Sequence, residues 1–426
     1  MRQILWFRRD LRIHDNAILA KAKDEVLPIF IFDPNILKKL DKDDKRVGFI
    51  LQSVLKLKEE LKSLGLDLAI FHEEPVKVFT RLSVLDFENV LCSIDYDAYA
   101  ISRDKEIAQI LPLKRYVDSF ILNPTLHVKA DRKPYRVFTP FYKSLQPITS
   151  ANEFTLYKPN PNLRKVEFEY SFIPTLEELG FSKQKLPEFL KKGAKEHFES
   201  FGSRLKEYEE QRDYFAKDTT SNMSVFLRFG LISPKELFNL AKGCEGHDFY
   251  IRELFWREFW AYLLFHFPQS EFENFYDLDI PWREDKESFQ VWCEGETGID
   301  IVDAAMKCLN QTGLMPNRLR MIVASFLTKN LLIDWREGEA YFAKKLLDYE
   351  ASSNIGSWQW AASTGADGVP YFRIFNPLTQ SEKFDKEGIF IKQYLSRTMA
   401  KKPIVSLDFS RKRAIEVFKR AKNANL

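Results

Sequence analysis

Five short apolar runs within the first 125 residues constrain the fold more than any other feature: Ile4–Phe7, Val26–Phe32, Leu68–Phe71, Val90–Ile94 and Phe120–Leu122. Each is shorter than an ordinary helix and none alternates polar with apolar residues, so each reads as a strand buried on both faces. The intervening stretches Val47–Leu64, Val76–Leu85 and Ala100–Leu111 carry apolar residues at helical spacing. Such alternation predicts an α/β domain with a doubly wound parallel sheet. G-x-G-x-x-G and P-loop fingerprints are absent from it. The sheet would still offer a ligand crevice at its switch point, for a ligand that these residues do not name.

A chain of 426 residues exceeds one ordinary core, so a second domain is expected. The first domain is read as 1–125. Across 126–195 the periodicity weakens and prolines gather (Pro134, Pro140, Pro147, Pro159, Pro161, Pro174), which reads as a connector. From 196 to 426 helical patterns dominate and predict an all-α domain. The net formal charge is only +3, so any nucleic-acid site must be a local patch. The basic end segment with Lys401-Lys402 and Arg411-Lys412-Arg413 reads as a solvated helix face. Cys92, Cys244, Cys293 and Cys308 follow no metal-ligand spacing, and no metal is expected. The opening residues lack the apolar run of a signal peptide, and no stretch suffices to span a bilayer. The expectation is a cytoplasmic protein, nucleoid-associated if bacterial, without membrane contact.

Four segments of the helical half put polar and aromatic groups where burial makes them costly. Tyr208-Glu-Glu-Gln-Arg212 precedes Thr219-Thr-Ser-Asn-Met-Ser224, a hydroxyl-rich run opening the helical pattern Val225–Leu231. Hydroxyls and free N–H groups at a helix start suit a phosphate, although a simple N-cap has the same signature. In Arg252-Glu-Leu-Phe-Trp256-Arg257-Glu258-Phe-Trp260, helical spacing puts Glu253, Trp256 and Arg257 on one face. Read alone, that face is better taken as a surface salt bridge beside an amphipathic indole. In Asn317-Arg318-Leu-Arg320-Met321, Asn317, Arg320 and Met321 share a face that leads into the apolar stretch Ile322–Ile333. A buried Arg320 needs an acidic partner, for which Asp348 is a candidate; a snorkelling arginine is the alternative. Finally, in Asp348-Tyr-Glu350 through Asn354, Trp358 and Trp360 to Gly365, the two indoles two residues apart point to nearly opposite sides of a helix.

These segments, in this order, with Trp6-Phe-Arg-Arg-Asp-Leu-Arg12 and Tyr135-Arg-Val-Phe-Thr-Pro140, resemble the photolyase/cryptochrome family over nearly the whole chain. Within it they are most similar to the class I cyclobutane pyrimidine dimer photolyases. The resemblance implies light-driven repair of pyrimidine dimers in double-stranded DNA, with FAD held in the helical domain and active as its fully reduced anion. It implies that Tyr208, Thr220, Ser221, Asn222, Met223, Ser224 and Arg257 hold the ribityl and pyrophosphate part of FAD. Arg320 and Asp348 would pair against the ring system, with Glu350 nearby and Asn354 next to flavin N5, where an amide can hydrogen-bond reduced flavin and a carboxylate would repel it. The extruded lesion would meet Glu253, Trp256, Asn317, Met321 and Trp360, the two indoles forming its walls. Arg212, Arg318 and Arg373 correspond to phosphate-contacting positions. Trp358, Trp335 and Trp282 correspond to a relay that re-reduces the flavin, although a core anchor is an equal reading for Trp335. The expected assembly is a monomer with no obligate protein partner.

Departures from the family pattern are local. Leu314 and Pro316 stand where many relatives carry Trp and His, and Tyr250 replaces a Trp before Glu253. A second, light-harvesting antenna chromophore would bind the first domain. Ala100 stands where folate-binding relatives carry glutamate, so folate is not implied and the antenna's identity stays open. A cryptochrome-type photoreceptor without repair is the alternative; Asn354, the lesion-pocket set and the short tail weigh against it. None of the six histidines falls between Pro316 and Met321, which weighs against a (6-4) photolyase.

Overall fold

The computed structural model describes residues 2–217, 219–396 and 401–424. The chain packs as two units, each assembled from non-contiguous stretches. The first comprises 1–128, 146–203 and 222–254, and the second 129–145, 204–221 and 255–426.

The first unit holds a parallel sheet of β1 (Arg2–Phe7), β2 (Glu25–Ile31), β3 (Ala69–Phe71), β4 (Asn89–Ser93) and β5 (Leu113–Tyr116), in the order β3-β2-β1-β4-β5. Ile4 sits at the sheet's centre, in register with Leu27 on one side and Val90 on the other. Helices α1 (Lys45–Ser63), α2 (Pro75–Leu82) and α3 (Ala98–Ala108) occupy the connections, as right-handed crossovers between parallel strands require. The order reverses between β1 and β4, so the switch-point crevice lies beyond Phe7 and Ser93.

One expected strand is not formed. Phe120–Leu122 is loop, and the fifth strand is Leu113-Lys-Arg-Tyr116. Lys114 and Arg115 are exposed there, as befits an edge strand, and their charge erases the apolar signature that sequence reading relies on. Phe120 is buried for another reason: its ring stacks on Tyr96 at 5.4 Å. A short strand in the proline-rich stretch, β6 (Arg164–Lys165), pairs with the start of β2.

In the crevice, Arg8 and Arg103 each place a guanidinium 4.7 Å from the Trp6 ring centre, and Arg8 pairs with buried Asp104 at 2.7 Å. Beneath lies a buried polar network in which Arg12 Nη2 bonds Asp118 at 2.7 Å and the Asp15 carbonyl at 2.6 Å. The Leu11 N–H donates to Phe229 O, next to Gly230 at φ +65°; a Cβ on Gly230 would stand 2.0 Å from the Arg9 carbonyl oxygen. Only glycine satisfies both demands.

The core of the second unit is formed by α7 (Asp300–Thr312), α8 (Asn317–Ser325), α9 (Trp335–Lys345) and α10 (Ala351–Ala362), around buried Trp292, Trp335, Trp358, Phe326 and Phe342. The helix over the apolar stretch Ile322–Ile333 is not α-helical throughout: Phe326–Leu331 widens into a π-helix, which stops at Leu332, φ +59°. The widened turn gives three successive buried polar residues internal partners. Thr328 Oγ1 donates to Ala324 O, Lys329 Nζ to Ala362 O at 2.8 Å, and Asn330 Nδ2 to Ser410 Oγ. Burial pushes the Lys329 amine well below the usual lysine range.

Candidate active site

Glu350 starts α10. Its carboxylate accepts from Ser353 N (2.9 Å), Ser353 Oγ (2.8 Å) and Ser352 Oγ (2.5 Å), capping the first turn against the helix dipole. One turn on, buried Asn354 faces α9: its Nδ2 donates to Glu339 Oε1 at 2.9 Å and to Glu339 O at 3.2 Å. Both amide protons are thereby used, and the carbonyl Oδ1 is the end turned away from Glu339. Burial raises the Glu339 carboxyl above the usual range, and the Asn354 hydrogen bond partly offsets this.

Trp358, one turn beyond Asn354, lies on the same face. Its ring rests on Gly338 of α9, where an added Cβ would come within 2.3 Å of Cη2. It meets Phe342 edge-on at 5.1 Å and Trp292 at 6.1 Å. Trp360, two residues further on, is half-buried, so the two indoles do diverge. Opposite α9, Gly356 of α10 carries the ring of Trp260, which belongs to helix α6 (His247–His266). Trp256 lies one turn before Trp260 on α6, and Trp360 one turn after Gly356 on α10. The helix contact therefore puts both candidate wall residues within a turn of the same crossing.

Trp256 is half-buried and stacks face-to-face on Phe138, centroids 3.6 Å apart and 9° from parallel. Phe138 opens the short helix α4 (Phe138–Ser144), and sequence reading did not single it out. Arg257, on α6, lies 3.8 Å from buried Glu258. Glu253, half-buried, precedes Trp256 by three residues on the same helix.

On α8, Arg320 Nη2 reaches both oxygens of Asp348, at 3.0 and 2.9 Å, and its Nε donates to Met315 O. Asp348 is buried, so the arginine neutralises a carboxylate that has left water. Asn317 is exposed, with Nδ2 3.8 Å from Met321 Sδ. Arg318, expected to meet phosphate, is paired with Asp213 at 2.5 Å and lies over the Phe384 ring. Arg373 is exposed, and Arg212 is half-buried with its guanidinium 6.0 Å from the Tyr208 ring. Thr220 is half-buried and Ser221 buried in the second unit; in the first, Asn222 takes a left-handed φ of +52° ahead of α5 (Met223–Arg228), with Met223 buried and Ser224 exposed.

Two further candidates are separated in burial. Trp335 is 1% exposed and donates its indole N–H to Asn274 Oδ1 at 2.8 Å. Trp282 is half-buried, edge-on to Phe418 at 5.9 Å on the terminal helix α11 (Leu407–Ala424). Glu339, Gly338, Asn274 and Phe138 thus all support candidate residues. Glu339 and Gly338 had one faint signal, a carboxylate four residues and a glycine three residues after Trp335 on one helix; Phe138 had only its place in the Tyr135–Pro140 segment, and Asn274 had none.

Residues 3–162 match the family described as DNA photolyase, and residues 250–403 match the FAD binding domain of DNA photolyase. A deoxyribodipyrimidine photo-lyase of Salmonella typhimurium is 36% identical, with 92% of this chain and 88% of the relative covered; one from Halobacterium salinarum is 33% identical over 92% and 89%. The chain belongs to the DNA photolyase family. Solved folds agree. A bacterial class III photolyase from Agrobacterium tumefaciens superimposes with TM-score 0.86 at 30% identity, covering 99% of this chain and 98% of its own. A Synechocystis cryptochrome gives 0.86 at 25% identity, covering 98% and 99%. This photolyase is a flavoprotein lyase with an FAD-binding domain in its helical half. Among its described residues no helix is long and apolar enough to cross a membrane.

Proposed function

We propose that this photolyase splits cyclobutane pyrimidine dimers in double-stranded DNA, using FAD in its fully reduced form. The observation that carries the reading is the shared face of α6. A carboxylate (Glu253) and a large indole (Trp256) sit one turn apart on it, and the indole is backed by Phe138 at stacking distance. A flat, fixed aromatic surface beside a hydrogen-bonding acid suits an extruded pyrimidine pair, because stacking replaces what the lesion loses on leaving the helix.

FAD, when bound in its reduced form, would supply the redox chemistry as a light-driven electron donor to the dimer. The protein's residues do the rest. Asn354 suits reduced flavin, because its amide protons are spent on Glu339 and its oxygen is available as an acceptor for the N5 proton. The Arg320–Asp348 pair offers a polar partner to the ring system at no net charge. Tyr208, Thr220, Ser221, Asn222, Met223, Ser224 and Arg257 would hold the ribityl and phosphate part. Glu350 would act by holding the first turn of α10, since its oxygens already accept four hydrogen bonds there. Glu253 would donate to a thymine carbonyl and stabilise charge that develops on it. Trp256 and Trp360 would wall the lesion, with Asn317 and Met321 beside it. Arg212 and Arg373 would position the DNA backbone, while Arg318 contributes less charge because Asp213 already balances it. Trp358, Trp335 and Trp282 would re-reduce the flavin from the surface. The enzyme would work as a monomer.

Ala100, buried at the start of α3, leaves the folate glutamate missing. We infer that any antenna is of another class, seated at the β1/β4 crevice. A Sulfolobus tokodaii photolyase solved with two FAD molecules, 32% identical with TM-score 0.84, makes a second flavin the reading to test first.

The test is anaerobic illumination of chemically reduced protein with an oligonucleotide carrying one thymine dimer, after an absorption spectrum has identified the bound chromophores. Dimer splitting in wild type, falling severalfold per photon in Glu253→Ala with flavin retained, is the expected result. Full flavin occupancy with no splitting would leave a photoreceptor of the cryptochrome kind.

A further inference from the structure

Trp358 has an indole neighbour in ring contact on one side and, on the other, a helix that carries a second indole. On one side is Trp292, at 6.1 Å, fully buried, with an indole N–H that has no hydrogen-bond partner among the described residues. On the other is α9, where the Trp358 ring lies on Gly338, three residues and so about one turn from Trp335. Trp335 is equally buried, yet its N–H is bonded to Asn274 Oδ1 at 2.8 Å. Asn274 cannot turn its amide round, because its Nδ2 is committed to Leu278 O at 2.7 Å. The acceptor oxygen is thus held facing the indole.

We propose that Asn274 is a positioning residue that directs the electron relay, making Trp335 rather than Trp292 the tryptophan that reduces oxidised Trp358. The inference rests on the relay reading above. Loss of an electron leaves an indole with a full positive charge and a much more acidic N–H, so a neutral hydrogen bond becomes a charge-assisted one, roughly twice as strong. In Trp335 that bond is already made. In Trp292 the same charge would sit among Phe289, Phe342 and Tyr341 with no acceptor for its N–H among the described residues, which burial penalises. The guanidinium of Arg336, 4.8 Å from the Trp335 ring, works against the charge, but Asp334 holds it at 3.0 Å and the pair is partly solvated. Electrons balance simply. For each photon one electron would pass from Trp358 to bound oxidised flavin, Trp335 would refill Trp358, Trp282 would refill Trp335, and an external thiol would refill Trp282, releasing its proton and becoming a thiyl radical; two such rounds would reach the fully reduced flavin, and no bond in the protein breaks.

The test compares Asn274→Leu, Asn274→Asp, Trp335→Phe and the double variant Asn274→Leu/Trp292→Phe, all as flavin-loaded protein. In the dark, ultraviolet resonance Raman should show one hydrogen-bonded indole N–H lost in Asn274→Leu and kept in Asn274→Asp. Under light with a thiol, Asn274→Leu should photoreduce its flavin about tenfold more slowly, the order expected for one charge-assisted bond. Dimer splitting by dithionite-reduced Asn274→Leu should be unchanged. Removing Trp292 as well should restore part of the rate. Asn274→Asp, which keeps the acceptor and adds negative charge, should photoreduce at least as fast as wild type; a rate below half of wild type overturns the proposal even if Asn274→Leu does not fold. Wild-type photoreduction in Asn274→Leu, with Trp335→Phe blocked, overturns the proposal and leaves the relay standing. Wild-type photoreduction in Trp335→Phe overturns the relay itself.

Discussion

Gly338→Ala sets two effects of opposite sign against each other. Helix propensity alone favours the change, because alanine in a helix interior gains about 0.5–1 kcal/mol over glycine. The structure argues the reverse. A Cβ at position 338 would lie 2.3 and 2.5 Å from two carbons of the Trp358 ring and 2.6 Å from a Leu327 methyl. Carbon pairs settle near 3.5–4.0 Å, so the ring must retreat by roughly 1.5 Å. It cannot do so freely, being 3% exposed and wedged against Phe342 and Trp292. Overpacking of this kind costs about 1–3 kcal/mol, which leaves a net loss of about 0–2.5 kcal/mol, centred on about 1, after the propensity gain. Urea unfolding of wild type, Gly338→Ala, Trp358→Phe and the double variant gives the coupling directly: the smaller phenyl ring should accommodate the methyl and recover most of the loss. Flavin photoreduction should slow in Gly338→Ala while repair by chemically reduced protein is spared. A variant as stable as wild type or more so, with photoreduction intact, would refute the claim that this glycine exists to seat the indole.

Arg320→Leu should lower stability by about 2–4 kcal/mol and shed FAD on gel filtration, because buried Asp348 loses its counter-charge; flavin retention equal to wild type would contradict the assignment. Trp360→Ala should weaken binding of dimer-containing DNA and leave binding of undamaged DNA unchanged, measured by competition. Asp10 has its carboxyl raised to about 7, by burial and then by the nearby Asp118 charge. A native state that keeps this proton while the unfolded chain has lost it is stabilised below that value, and the contribution fades as pH rises from about 4 to 7. Asp10→Asn should therefore flatten the pH dependence of unfolding midpoints over that window; an unchanged slope would show that Asp10 is ionised throughout.

Much of the candidate site's local geometry was legible because helical spacing is a local property. Glu253 and Trp256, or Asn317 and Met321, share faces by arithmetic on residue numbers, and the opposite directions of Trp358 and Trp360 follow from the same arithmetic. The pairing of Arg320 with Asp348 could be anticipated from the cost of burying a guanidinium alone. The edge strand Leu113–Tyr116 was not legible, since its charged residues suit solvent and carry no apolar mark. The π-turn at Phe326–Leu331 was not legible either, because its polar residues are paid for by partners 4, 33 and 80 positions away.

Sequence alone settled the α/β-then-helical order, the strands at the sheet's centre and the face on which each candidate residue sits, all consequences of backbone periodicity. Tertiary structure alone decided which backbone supports each of them: Glu339 behind Asn354, Gly338 beneath Trp358, Phe138 behind Trp256 and Asn274 on the Trp335 N–H. Those contacts join residues up to 118 positions apart, between Phe138 and Trp256, and no local rule specifies them. They arise only when helices pack and buried polar groups and rings must find partners in the space that is left.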